Sequence, residues 1–276
     1  MQRWLAEIVR RIYGVAHRVG QLTQPLAGPD WRVVQSVLPA CNRDQARNLA
    51  RSMAGRRIAN GFLKRAALWF GHKRMVGLVD IEGERHLRDL LNRGVPIVLA
   101  PWHFGPMTVI GTAMIKLDVP LLVLQRWPRK TRGDGLEYLQ FEGSTATRIK
   151  ALRHGVETLR GGGVAMTVVD VPDNQPRDTP GPYNVLGRAV YLLQSAATLA
   201  RMGQAAILPV TAHWNSGRLI VRFSPPAILP DEMLTEPEIQ NALAAWWSCQ
   251  IAAEPEELWS LSLEALERAP QVKPTS

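Results

Sequence analysis

The sequence predicts a single α/β domain with a central, mostly parallel or mixed β-sheet flanked by helices and a helical layer at its N-terminal end. Two patterns and one total carry this expectation. From Val79 onward, short β-branched runs alternate with helical stretches, the signature of strands covered by helices. Before Val79 the pattern is helical, broken near Gln24–Asp30, Pro39 and Gly71. The chain of 276 residues is 46% hydrophobic and 21% charged, which supplies one large core and excludes a disordered polypeptide.

Met1–Leu22 opens the chain. Trp4, Leu5, Ile8, Val9, Ile12, Val15, Ala16 and Val19 recur at helical spacing, with arginines on the other side. The segment predicts an amphipathic helix, suited either to a membrane surface or to covering the domain core. It lacks the uninterrupted apolar stretch of a signal peptide, and no run approaches the ~20 apolar residues of a membrane span. Strands are expected at Leu78–Ile81, Pro96–Leu99, Leu121–Leu124, Val164–Val169, Ala206–Val210 and Leu219–Phe223. Helices are expected at Glu84–Leu91, Met107–Lys116, Ala146–Leu159, Tyr191–Met202, Glu236–Ile251 and Glu256–Leu266. Residues 1–78 thus form the helical layer and 79–269 the α/β part of one structural unit; 270–276 reads as a loose tail.

The formal net charge of +9 points to an anionic partner. Arg51–Val79 holds seven Lys or Arg and no Asp or Glu, interleaved with Phe62, Leu63, Leu68, Trp69 and Phe70. Arg126, Arg129, Lys130 and Arg132 form a second cluster around Trp127. Mixed basic and apolar surface fits a peripheral membrane protein; a solvated helix face backed by core aromatics fits the same residues. No nucleic-acid recognition pattern accompanies the charge, so no nucleic-acid partner is expected. Cys41 and Cys249 stand far apart without metal-type spacing, and His17, His72, His86 and His154 show no ligand pattern, so no metal is expected.

Chemistry concentrates in Ile97-Val-Leu-Ala-Pro-Trp-His103-Phe104-Gly105-Pro-Met-Thr108. An apolar strand ends, a histidine follows, and a Gly-Pro turn leads into a helix. Side chains just past strand ends line the ligand crevice of open α/β sheets. An imidazole there titrates near neutrality and can accept a proton from a hydroxyl. Gly161-Gly-Gly163 reads as a helix-terminating turn, and His213–Gly217 as a hairpin turn with a structural His213. Ser195 is not set on a nucleophile elbow, and no other residue reads as a covalent nucleophile.

The His103 segment resembles the active-site region of the lysophospholipid acyltransferase superfamily, closest to its lipid A late (lauroyl or myristoyl) acyltransferases. Leu124-Gln-Arg126 resembles the family's aromatic-Arg-Pro step, and Asp170-Val-Pro-Asp173-Asn-Gln-Pro-Arg177 its Pro-Asp-x-Asp loop. Leu186-Gly-Arg188, Ser195–Gly203 and Ile207-Leu-Pro209-Val resemble its Phe-Gly, small-residue helix and Val-Pro-Val series, in the same order. The resemblance implies an O-acyltransferase that moves a fatty acyl chain from acyl carrier protein, or acyl-CoA, to a hydroxyl of a glycolipid or lipid-linked saccharide. The work would take place peripherally, on the cytoplasmic face of the inner membrane, with no cofactor. It implies His103 as general base and Arg126 as a phosphate ligand or, with N–H groups near Gly105, an oxyanion donor. Arg177 and Arg188 suit either bidentate phosphate clamps or ion pairs with Asp173 and Asp178. Phe104, Gly105, Thr108 and Asp170 would line the substrate site.

The chain departs from the family at three places. The acid five residues after the histidine is Thr108; Gln175 replaces the loop's second Asp; and Ser260-Leu-Ser-Leu stands where a basic run belongs after Pro255-Glu-Glu-Leu-Trp259. Three explanations are open for Thr108: Asp173 or Asp170 supplies the missing carboxylate, the enzyme is slow, or catalysis is lost and the chain is a membrane-associated lipid- or carrier-binding subunit. An apolar channel for the acyl chain is also expected.

Overall fold

A computed structural model describes residues 2–23, 28–125, 135–141, 144–170, 181–215, 218–232 and 234–272. Helix α1 (Gln2–Leu22) runs against α3 (Arg43–Phe70), with α2 (Trp31–Val37) between them in sequence. A short turn of helix, α4 (His72–Met75), leads into β1 (Val79–Glu82). Then come α5 (Glu84–Asn92), β2 (Ile97–Leu99), α6 (Thr108–Lys116), β3 (Leu121–Gln125), β4 (Leu136–Gln140), α7 (Thr145–Arg160) and β5 (Val164–Met166). The chain continues through β6 (Tyr183–Val185), β7 (Arg188–Val190), α8 (Ser195–Gly203), β8 (Ala206–Leu208), β9 (Val210–Asn215) and β10 (Arg218–Phe223). It closes with α9 (Glu236–Ala253) and α10 (Ser260–Arg268).

The α/β class is as expected. Five parallel strands form the central sheet in the order β4-β3-β5-β2-β8. Residues alternate between its faces, as a pleated strand requires. Val98, Leu122 and Leu124 enter one apolar layer with Trp102, Trp247 and the residues of α8 and α9. Ile97, Leu99, Leu121 and Val123 enter the other, with Leu63, Ile110 and Met114 of α3 and α6. A separate three-stranded sheet, β1-β10-β9, pairs β1 parallel to β10 and β10 antiparallel to β9.

The N-terminal layer depends on small residues. A Cβ added to Gly20 would lie 2.6 Å from the Gly55 Cα, so α1 and α3 cross at a point where only hydrogen fits. Tyr13, fully buried on the same side of α1, stacks on Trp214 at 3.9 Å. The other side is not covered: Ile12, Val15, Val19 and Leu22 are exposed, at a spacing that forms one stripe. Asn42 and Gln45 form a capping box that starts α3, and Ser144 caps α7. No helix among the described residues is long and apolar enough to cross a membrane.

The start of the expected tail, Pro270–Val272, is tied down, and 273–276 lie outside the described residues. Ala189 N–H donates to the Pro270 carbonyl at 2.8 Å, and Val272 N–H to the Gly187 carbonyl at 2.9 Å. The edge of the β6–β7 hairpin offers backbone groups that need partners, and Pro270–Val272 supply them. Of the predicted helices, Tyr191–Met202 begins later, at Ser195, because Leu192 bridges Asp170. The strands β4, β6, β7 and β9 are not anticipated from sequence, and β9 takes in His213–Asn215, expected as part of a hairpin turn. Neither cysteine is fully buried: Cys41 is half-buried and Cys249 exposed.

Candidate active site

Strands β2 and β5 are parallel neighbours, so their carboxyl ends open on the same edge of the sheet. The 67-residue offset that pairs Ile97 with Val164 also separates His103 from Asp170. Backbone bonds continue beyond the regular strands, from Thr167 N–H to the Leu99 carbonyl and from Val169 N–H to the Pro101 carbonyl. The register of two core strands thereby brings a histidine and an aspartate together.

Asp170 is 2% exposed and fully engaged. Its Oδ1 accepts from the His103 backbone N–H at 2.9 Å and meets His103 Nδ1 at 2.8 Å. Its Oδ2 accepts from the Ser262 hydroxyl at 2.7 Å. With the carboxylate on Nδ1, the neutral imidazole carries its proton there and leaves a lone pair on Nε2. Nε2 has no hydrogen-bond partner among the described residues. The ring keeps 23% of its side-chain surface exposed, so it is accessible. Burial lowers its pKa, but the charge of Asp170 and its hydrogen bond outweigh that, with a smaller opposing push from Lys64. The net result lies above the ordinary 6.5.

The C-terminal segment clamps this loop. Gly105 N–H donates to the Glu257 carbonyl at 2.7 Å, and Trp259 N–H to the His103 carbonyl at 3.1 Å. The Trp259 indole N–H donates to the Gly105 carbonyl at 2.8 Å, and its ring lies 5.0 Å from the imidazole. Gly105 has φ +60°, and a Cβ there would collide with the Ala212 carbonyl oxygen. Glu257, 2% exposed, pairs through Oε1 with Arg56 Nη1 at 2.8 Å and accepts the Trp214 N–H at 3.0 Å. Burial pushes its carboxyl up to about 7, against the pull of Arg56.

Beside the dyad lies a cavity of about 260 Å³ between α3, the loop entering α6 and residues 257–259. Arg56, Arg57 and Lys64 of α3 face it across from Met107, Thr108 and Trp259. His103 is not in its walls; Trp259 links the two. The lining sets the basic side chains of α3 among Met53, Pro106, Met107 and Leu258.

Several expected roles change. Asp170 is the acid that meets the imidazole, not a substrate contact; Thr108 makes no hydrogen bond to His103 and stands at the first residue of α6, in the cavity wall. Phe104 is 1% exposed and packs 5.7 Å from Trp247, so it is core and does not face a substrate. Gly105 gives its N–H to Glu257, which removes it as an oxyanion donor; its role is to let the loop pass β9. Arg188 donates to the Ser36 carbonyl at 2.6 Å and the Ala269 carbonyl at 3.3 Å, tying α2 to the end of α10 instead of clamping phosphate. Arg126, Asp173 and Arg177 lie outside the described residues. Ser195 is buried, its hydroxyl 2.8 Å from that of Thr167. No His, Cys, Asp and Glu grouping among the described residues could hold a metal.

The sequence reading missed Ser262, Glu257, Trp259 and Arg56. Ser262 falls within Ser260-Leu-Ser-Leu, the stretch that departs from the family's basic run. No family model matches this chain, and neither does any curated protein.

Proposed function

We propose that the protein is an O-acyltransferase in which His103 is the general base. One observation carries the reading: Asp170 holds Nδ1 of an accessible imidazole at 2.8 Å and leaves Nε2 without a partner among the described residues, at the carboxyl edge of a parallel sheet. An acceptor O–H gives its proton to Nε2 as its oxygen attacks the thioester carbonyl. The C–O bond forms, the C–S bond breaks, and the imidazolium returns the proton to the departing thiolate. Asp170 orients the ring and stabilises its cation without taking the proton, as in other carboxylate–imidazole pairs. Arg126 and the Thr108 N–H, at the start of α6, are the candidates for holding the oxyanion.

The donor is a fatty acyl thioester on acyl carrier protein or CoA, and the acceptor a hydroxyl of a glycolipid or lipid-linked saccharide. The ordered resemblance from Val79 to Pro226 motivates both. Surface character supports work at the cytoplasmic face of the inner membrane. The exposed Ile12, Val15, Val19 and Leu22 stripe is flanked by Arg11 and Arg18, and Trp69 is 70% exposed at the end of α3. Such a surface gains from shallow apolar burial and from anionic headgroups together. The rival reading, a silent lipid- or carrier-binding subunit, rested on Thr108; an acid at Asp170 weighs against it.

The test is mass-spectrometric analysis of products formed from acyl carrier protein thioesters and a panel of glycolipid acceptors on vesicles. An acyl ester on the acceptor supports the reading. Free fatty acid alone would make the dyad a thioesterase, and no turnover on any acceptor would favour the subunit.

A further inference from the structure

The cavity beside the dyad is charged in a way the proton transfer does not use. Its walls carry three cations, Arg56, Arg57 and Lys64, against one carboxylate, Glu257, whose Oε1 is already paired with Arg56. The cations fall on one face of α3, at spacings that bring successive turns into register. Lys64 is exposed and makes no hydrogen bond or ion pair among the described residues, yet its charge is felt at His103. One wall residue also holds a buried acceptor with no donor among the described residues, Asn60 Oδ1. Buried acceptors left unpaired are costly, so a partner is wanted that supplies hydrogen-bond donors.

We propose that this cavity binds a phosphate ester flanked by an O–H or N–H donor, with Lys64 and Arg57 meeting the phosphate and Asn60 taking the donor. A cation on a flexible stem recognises phosphate as a point charge, and it is strengthened by partial removal from water. The position fits, because Trp259 lies in the cavity wall and 5.0 Å from the His103 ring. A phosphate bound here sets the reacting part of its molecule near Nε2. Under the acyl-transfer reading, on which the choice of ligands rests, two molecules have this chemistry. One is the phosphorylated sugar of the acceptor; the other is the phosphopantetheine arm of the donor.

Titration calorimetry on the full-length protein separates them. The probes are glucosamine 1-phosphate with glucosamine as its neutral control, and CoA with pantetheine as its control. A pocket for the acceptor prefers the phosphorylated sugar; a pocket for the donor prefers CoA. In either case Lys64→Ala weakens the preferred probe by roughly tenfold, the value of one charged hydrogen bond, and Lys64→Glu weakens it further. Lys64 is exposed, so both variants fold. Neutral controls that bind as well as their phosphorylated partners, or Lys64 variants that bind both phosphorylated probes like the wild type, overturn the proposal. Phosphate-selective binding without any acyl transfer upholds the pocket and removes the acyl-transfer reading. Transfer without phosphate selectivity does the reverse.

Discussion

The Ser262 hydroxyl donates to Oδ2 of Asp170 at 2.7 Å, on the side of the carboxylate that His103 does not use. The two residues are 92 positions apart in sequence, one after β5 and one in α10. Ser262→Ala leaves a buried carboxylate oxygen without its donor. It should cost about 1–3 kcal/mol of folding stability, measured by urea denaturation. A loss of only a few tenths would mean that Asp170 Oδ2 has another donor.

The imidazole titration has a definite sign. His103 should titrate above 6.5, and its transfer rate should rise as pH climbs through that raised pKa, because only neutral Nε2 accepts a proton. By linkage, a raised folded pKa contributes stability that is full below the unfolded value and fades as pH climbs through the folded one. Asp170→Asn removes the opposing charge and leaves burial dominant, so the pKa should drop below that of the wild type. NMR titration of the ring carbons reads both. A variant that titrates like the wild type contradicts the pairing.

Gly105→Ala places a side chain at φ +60° against the Ala212 carbonyl. Strain of this kind costs about 1–3 kcal/mol, and the loop must move as well. The expected outcome is a destabilised protein with transfer reduced more than stability alone explains. Wild-type melting and wild-type rate together would show that the loop is free to shift.

Much of the architecture was readable in advance. Apolar runs such as Ile97–Leu99 and Val164–Met166 bury both faces, and buried parallel strands read as continuous hydrophobic segments. Strand β4, Leu-Glu-Tyr-Leu-Gln, sits at the sheet edge and lacks β-branched residues, so its sequence resembles a helix as much as a strand. His103 was legible because it directly follows a strand. The sequence leaves its acid open between Asp170 and Asp173, and the β2–β5 register is what brings Asp170 to the ring. Glu256 and Glu257 are indistinguishable in sequence, yet burial makes one of them an ion-pair partner of Arg56. Long-range register and burial are properties of the whole fold, which local patterns do not encode.

Glu257 provides a second pH handle. A carboxyl raised to about 7 holds its proton in the folded state where the unfolded chain has lost it. Stability should therefore decline as pH rises from about 4.5 towards 7, at up to about 1.4 kcal/mol per unit. Glu257→Gln should flatten that slope while keeping an acceptor oxygen for Arg56. An unchanged slope in the variant would place the titration elsewhere.

The α1 stripe makes a separable prediction. Val15→Glu combined with Leu22→Glu alters two exposed side chains, so melting should be unaffected. Sedimentation with anionic vesicles should fall several-fold, since each change removes apolar burial and adds repulsion. Undiminished sedimentation would assign membrane contact to another surface.

Single-turnover acyl transfer by the wild type and by His103→Ala tests the general-base role most directly. The account predicts a loss of roughly 10²–10⁴-fold in the variant, the usual contribution of a positioned base, with the fold intact by circular dichroism. Transfer by His103→Ala at the wild-type rate would contradict it.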